Sequence, residues 1–261
     1  MIGSLFVTGP AGTGKSTLCG ALKEWFIKQE YDVAVVNLDP PGSEFVPYEP
    51  DVDVREIISL PDVMSEFNLG PNGGAQIVAS DLMLENVDKM QEYLSEFNDY
   101  YVIFDTPGQI ELFAFRQGSP MLVDKLSGGR AMLAFVTDAV LSTSPSGLVS
   151  QMMLYGSVFS RFYKPMLYIV NKTDLIGEDD LDEIKTWFND SEELRNALFE
   201  ERQEMLKDYL SGVITALQDS GMFSEIIPVS SRDFTGLEDI YSKMSLFFEG
   251  GADTDTLYRD D

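Results

Sequence analysis

Leu5-Phe6-Val7-Thr8-Gly9-Pro10-Ala11-Gly12-Thr13-Gly14-Lys15-Ser16-Thr17 joins a short apolar run to a glycine-rich loop near the start of the chain. Residues 5–8 read as a buried strand, and apolar residues recur at helical spacing from about Leu18 to Ile27. Gly9, Gly14, Lys15 and Ser16 fill the G-x-x-x-x-G-K-S/T spacing. Gly12 and Gly14 lack a Cβ, so the backbone can curl around a phosphate and aim its N–H groups inward. A helix starting at Lys15 adds the positive end of its dipole. Lys15 is then expected to reach the β- and γ-phosphates, and Ser16 to offer its hydroxyl to Mg²⁺. A plain glycine turn before a helix also fits the pattern. The strand on one side and the helix on the other favour the phosphate loop, with Gly12, Thr13, Gly14, Lys15, Ser16 and Thr17 as its binding residues.

Composition narrows the chemistry. The chain has 261 residues, 44% hydrophobic and 24% charged, enough for a sizeable core. There is no histidine, so histidine catalysis and histidine metal sites are excluded. Any catalysis rests on carboxylates, amides, lysine, a hard cation and positioned water. The net charge of −26, from 44 acidic and 18 basic residues, repels nucleic acid phosphates, and no direct nucleic-acid binding is expected. The same charge fits a basic partner or a salty cytoplasm. The single cysteine, Cys19, reads as a reduced core thiol in a cytoplasmic protein. No signal peptide or membrane-spanning run is visible, so no membrane association is expected.

Further apolar runs end in carboxylates. Residues 33–40, Val-Ala-Val-Val-Asn-Leu-Asp-Pro, read as a strand buried on both faces, with Asp39 at its carboxyl end. In an open α/β sheet that end faces the ligand crevice, which makes Asp39 a candidate beside the metal or the attacking water. It also reads as a turn aspartate before Pro40-Pro41-Gly42. Short helices are expected over 53–58 and 62–67. A Gly70-Pro71-Asn72-Gly73-Gly74 turn follows, and then one long helix from about Ala75 to Phe97. Tyr100–Phe104 predicts the next buried strand, closed by Asp105-Thr106-Pro107-Gly108-Gln109-Ile110-Glu111. There Asp105 is expected to hold Mg²⁺, directly or through water, the Gly108 amide to sense the γ-phosphate, and Gln109 to orient water; the stretch also reads as a plain turn, which the phosphate loop before it disfavours. Ala131–Asp138 is a further strand, and a helix spans about 146–162.

Met166–Val170 runs into Asn171-Lys172-Thr173-Asp174, the N-K-x-D guanine pattern. Asp174 can accept two hydrogen bonds from guanine. Adenine offers neither, and the carboxylate would be left unpaired. The stem of Lys172 can cover the base and Asn171 brace the loop. Residues 178–218 read as a charged helical insertion with a solvated acidic face. Ile226–Val229 predicts the last strand, followed by Ser230-Ser231, a closing helix over 236–248 and a polar tail over 250–261. The expected organisation is one domain over 1–249, a three-layer α/β P-loop fold with a mostly parallel central sheet.

Taken in order, Gly9–Thr17, Asp39-Pro40, Gly70-Pro71-Asn72, Asp105–Glu111, Asn171–Asp174 and Ser230-Ser231 resemble the GPN-loop GTPases, of the archaeal type and SIMIBI class. The resemblance implies GTP and GDP as ligands, Mg²⁺ as cofactor, and a homodimer in which each Gly-Pro-Asn loop enters the other subunit's site. It implies that Asn72 approaches the γ-phosphate or the attacking water from across the interface, that Asp39 and Gln109 place the water, and that Glu111 supports the loop. Glu111 reads equally as a helix-start carboxylate. By family analogy a client protein, linked to RNA polymerase assembly, is a further expected partner. Two other readings stand beside hydrolysis: a P-loop kinase acting on a small molecule, and a nucleotide-gated assembly factor with little turnover of its own.

Overall fold

The computed structural model describes residues 1–39, 46–70, 74–201, 204–219 and 225–250. Pro71 and Asn72, part of the loop after Asp39, and 251–261 of the tail lie outside these residues.

Among the described residues, seven strands build one sheet: β1 (Gly3–Thr8), β2 (Val33–Asn37), β3 (Val52–Asp53), β4 (Tyr101–Asp105), β5 (Ala131–Asp138), β6 (Met166–Asn171) and β7 (Ile226–Val229). Their order is β3-β2-β4-β1-β5-β6-β7, and every neighbouring pair is parallel. The strand residues are almost all buried, as the continuous apolar runs require of a sheet covered on both faces. Alternate side chains sort into two cores. Phe6, Phe104, Leu133, Phe135 and Val170 point to one face, and Leu5, Val7, Ile103, Met132 and Ile169 to the other.

The second face is covered by α1 (Lys15–Lys28) and α11 (Leu237–Glu249). Leu18, Leu22, Trp25 and Phe26 supply the buried stripe of α1, each worth about 1.5–3 kcal/mol of transfer free energy. That stripe fixes the rotation of α1 and hence the aim of the loop before it.

The first face carries α2 (Leu60–Phe67), α3 (Gly74–Glu85), α4 (Val87–Leu94), α5 (Ser119–Ser127), the short α6 (Ala139–Ser142), α7 (Pro145–Phe162), α8 (Glu178–Asn189), α9 (Ser191–Glu201) and α10 (Glu204–Asp219). Ser144 caps α7 by accepting the Gly147 N–H, with Pro145 in the first turn. The charged stretch expected as an insertion is α8 to α10, and its Ile184, Phe188, Leu194, Leu198 and Ile214 join the same core as the sheet.

Three expectations are corrected. The helix expected over 53–58 is a two-residue edge strand and one 3₁₀ turn, Val54–Glu56, because Val52 and Asp53 pair with Val36 and Asn37. The long helix over 75–97 is two helices, interrupted at Asn86, whose side-chain amide donates to the Leu82 carbonyl at 2.9 Å. The second strand stops at Asn37 because its side-chain oxygen accepts the Asp39 N–H at 3.0 Å and turns the chain.

Candidate functional site

A parallel sheet sends all its strand-to-helix loops to one edge. β1, β2, β4, β5, β6 and β7 therefore deliver Gly9–Gly14, Asp39, Asp105–Gly108, Asp138, Asn171–Asp174 and Ser230-Ser231 to the same side.

The β1–α1 loop is held by its backbone. Gly9 has φ +148°, and a Cβ there would lie 2.3 Å from the Val136 carbonyl oxygen; at Gly14, with φ +89°, it would lie 2.6 Å from Asn171 Nδ2. Glycine is required at both. Above Gly12 there is open space, since a Cβ there would meet nothing within 4 Å. Thr13 Oγ1 closes the turn on the Pro10 carbonyl at 3.0 Å. The α1 N-terminus presents first-turn N–H groups with no intrahelical partner, around Ser16 and the exposed Thr17. Lys15 is buried, and its Nζ donates to the carbonyls of Gly9, Pro10 and Gly108, each at 2.9 Å. Burial lowers its pKa from the ordinary lysine value, opposed by Asp105 and Asp39. One ammonium thus joins the β1 loop to the β4 loop.

Asp105 ends β4 and is 1% exposed. Its Oδ2 accepts the Tyr48 hydroxyl at 2.8 Å, while the buried Oδ1 has no hydrogen-bond partner among the described residues. Burial raises its pKa to about 6, held down by the Ser16 and Tyr48 hydroxyls and by Lys15. An unpaired buried carboxylate oxygen beside a serine hydroxyl is a donor set that fits a hard divalent cation. Asp39 comes to the same place, its Oδ1 accepting the Gly108 N–H at 3.4 Å. Gln109 and Glu111 stand at the start of the 3₁₀ turn Ile110–Leu112 with both side chains exposed, and Gln109 makes no side-chain cap.

The loop after β6 is built around Asn171. Its Nδ2 donates to the Thr13 carbonyl at 2.9 Å, and its Oδ1 accepts the Ser231 N–H at 3.2 Å and the Ser231 hydroxyl at 2.8 Å. Lys172, at φ +67°, bridges the Gly12 carbonyl at 2.6 Å and Asp138 Oδ2 at 2.7 Å. Asp174 Oδ1 accepts the Ser230 hydroxyl at 2.9 Å. The loop after β7 thus takes part through its side chains as well as its backbone.

Asp138, Gln151 and Tyr48 belong to this constellation and carry no motif. Asp138 caps α6 and holds Lys172. The buried Gln151 of α7 accepts the Asp138 N–H and donates to the Asp138 carbonyl and the Ser142 hydroxyl. A carboxylate closing an apolar strand, the signal that exposed Asp39 and Asp105, would also have found Asp138. Nothing local marks Gln151 or Tyr48.

With this geometry in place, the likeness to known proteins is specific. A family profile described as "Conserved hypothetical ATP binding protein" matches residues 7–249. GPN-loop GTPase 3 of Kluyveromyces lactis is 32% identical over 247 residues, covering 91% of this chain and 89% of the relative. The chain belongs to the GPN-loop GTPase family. GPN-loop GTPase QQT1 of Arabidopsis thaliana is 35% identical over 181 residues, covering 68% of this chain and 60% of that relative. The chain thus spans about 60% of the length of some GPN-loop GTPases and nearly all of others. A GTPase from Pyrococcus abyssi, solved in its apo form, shares the fold with a TM-score of 0.81 at 24% identity, covering 95% of this GPN-loop GTPase chain and 98% of the other.

Proposed function

We propose that the chain binds GTP with Mg²⁺ along the loop edge and hydrolyses it to GDP and phosphate. The observation that carries this is the Asn171 bridge, which ties the loop bearing Asp174 to the loop bearing Lys15 through the Thr13 carbonyl. A base reader and a phosphate cradle are joined in one piece. Asp174 would accept from guanine N1–H and the N2 amine, with Ser230 fixing its other lone pairs. Lys172 would lay its stem along the base.

Ser16 and Asp105 would hold Mg²⁺, with Asp39 near. When bound, Mg²⁺ supplies neutralisation of charge on the β- and γ-phosphate oxygens. The chain's own groups do the rest. The N–H groups of Gly12 to Thr17 orient the phosphates, and Lys15 brings its ammonium to the bridging side. Asp39 and Gln109 direct a water in line with the γ-phosphate, with Glu111 supporting the turn. Gly108 offers its N–H to Asp39 and its carbonyl to Lys15, so it is the segment through which the γ-phosphate would be sensed. That supports a nucleotide-driven switch, acting on a client protein as an assembly factor. The family resemblance extends the reading to a homodimer, with Asn72 of each subunit serving the other's site. A cytoplasmic location goes with the single buried thiol, Cys19.

The test is phosphate release from GTP and from ATP with Mg²⁺, by the native chain and by Asp174→Asn. The native chain turns over GTP and not ATP. Asp174→Asn lowers GTP affinity about 100-fold or more, because one acceptor is replaced by an NH2 that faces a guanine donor and the remaining hydrogen bond loses its charge. Unchanged GTP-over-ATP preference in the variant overturns the reading, and a phosphorylated acceptor in place of free phosphate would make the chain a kinase.

A further inference from the structure

We propose that Tyr48 is the positioning residue of the metal site, a phenol that fixes the plane of the Asp105 carboxylate so that Oδ1 alone faces the cation. The proposal rests on the reading of Asp105 as a Mg²⁺ ligand. A carboxylate has two equivalent oxygens and a soft terminal torsion. A neutral donor on one oxygen stops the rotation without competing for the other. Tyr48 does this from 57 residues away, donating to Oδ2 at 2.8 Å while Oδ1 stays buried with no hydrogen-bond partner among the described residues.

The tyrosine is itself held by the helix that opens the phosphate loop. Ser16, Gly20 and Lys23 recur at i, i+4 and i+7 on α1, so they share one face. Ser16 stands at the carboxylate. Gly20 lies under the tyrosine, where an added Cβ would come within 3.3 Å of Tyr48 Cβ. Lys23 Nζ donates to the Glu49 carbonyl at 2.7 Å and pairs with Asp51 at 2.8 Å. The Asp51 carboxylate also accepts the Val35 N–H at 2.7 Å. A single stripe of α1 thus supplies a hydroxyl to the site, a seat for the ring and a clamp on the chain just after it. Groups that orient a metal ligand are worth roughly 10–100-fold in metal affinity.

Tyr48→Phe keeps the ring and removes the hydroxyl. The measurement is the Mg²⁺ dependence of the release of a fluorescent GDP analogue, with binding of the same analogue in EDTA as reference. The variant needs about 10–100-fold more Mg²⁺ to slow release, binds the analogue in EDTA within twofold of the native chain, and loses nothing further when combined with Asp105→Asn. A Mg²⁺ requirement within twofold of native, or an equal loss in the Asp105→Asn background, overturns the proposal. If Asp105→Asn itself leaves the Mg²⁺ dependence intact, the metal-ligand reading fails, and the proposal with it. If Tyr48→Phe does not melt cooperatively, Lys23→Ala takes its place: it frees the clamp, leaves the phenol present, and raises the Mg²⁺ requirement by a smaller factor. No rise there overturns the proposal.

Discussion

At the scale of single residues, the site is a set of polar groups buried where a packed core would not tolerate them. Asp105 is the extreme case. Burial, which disfavours the charged form, pushes its carboxyl up to about 6 from an ordinary 3.8. The native state therefore binds its proton more tightly than the unfolded chain, and stability falls as pH rises from about 4 through about 6. Above that range the full penalty is present, on the order of 3 kcal/mol. In EDTA and without nucleotide, Asp105→Asn should melt several degrees above the native chain at pH 7.5, and the gap should shrink by pH 5. Calorimetric scans at the two pH values check this, and a gap that widens toward pH 5 contradicts it. How much of the site the sequence discloses depends on residue type and neighbours. Gly14, Lys15, Asp105 and Asp174 stand in short motifs of fixed spacing, which on the proposed reading phosphate and base geometry impose, so they are readable in isolation. Tyr48 and Gln151 are ordinary residues that meet their partners only where the chain crosses itself.

At the scale of elements, the strands are legible because burial on both faces forces unbroken apolar runs. Boundaries and interruptions are less so. The break at Asn86 leaves the helical spacing of Leu82, Leu84, Val87 and Met90 undisturbed, since one side-chain hydrogen bond decides it. The two residues of β3 are too few to show a period, and α5 lay unannounced between two motifs. The joint between β5, α6 and α7 shows how one element supports the site through another. Gln151 bonds both backbone groups of Asp138, and Asp138 in turn holds Lys172. Gln151→Met keeps the length of the side chain and removes its polar end, stranding the Asp138 N–H. We expect a loss of about 1–3 kcal/mol, a drop of about 2–10 °C in melting temperature, and weaker binding of guanine nucleotide. A variant that melts with the native chain would show that the joint has another support.

At the scale of the whole molecule, a sheet with every strand parallel concentrates chemistry along one edge and leaves the opposite edge to structure, where Arg130 ties the Ile2 and Phe248 carbonyls together. No helix among the described residues is long and apolar enough to cross a membrane. If the Gly-Pro-Asn loop acts between subunits, Lys15→Ala and Asn72→Ala chains, each inactive alone, regain partial GTP turnover when mixed. Isolated heterodimers with no recovery count against it. The Asn171 bridge carries a consequence of another kind. In the proposed reading it fixes the separation between the pocket for the base and the pocket for the phosphates, because one short amide side chain joins the two loops and the sheet beneath cannot stretch. In the proposed reading the chain is a gauge of length as well as of chemistry. A guanine nucleotide whose base and phosphates are held further apart, by an added linker atom in the sugar, would be refused however good each end is alone.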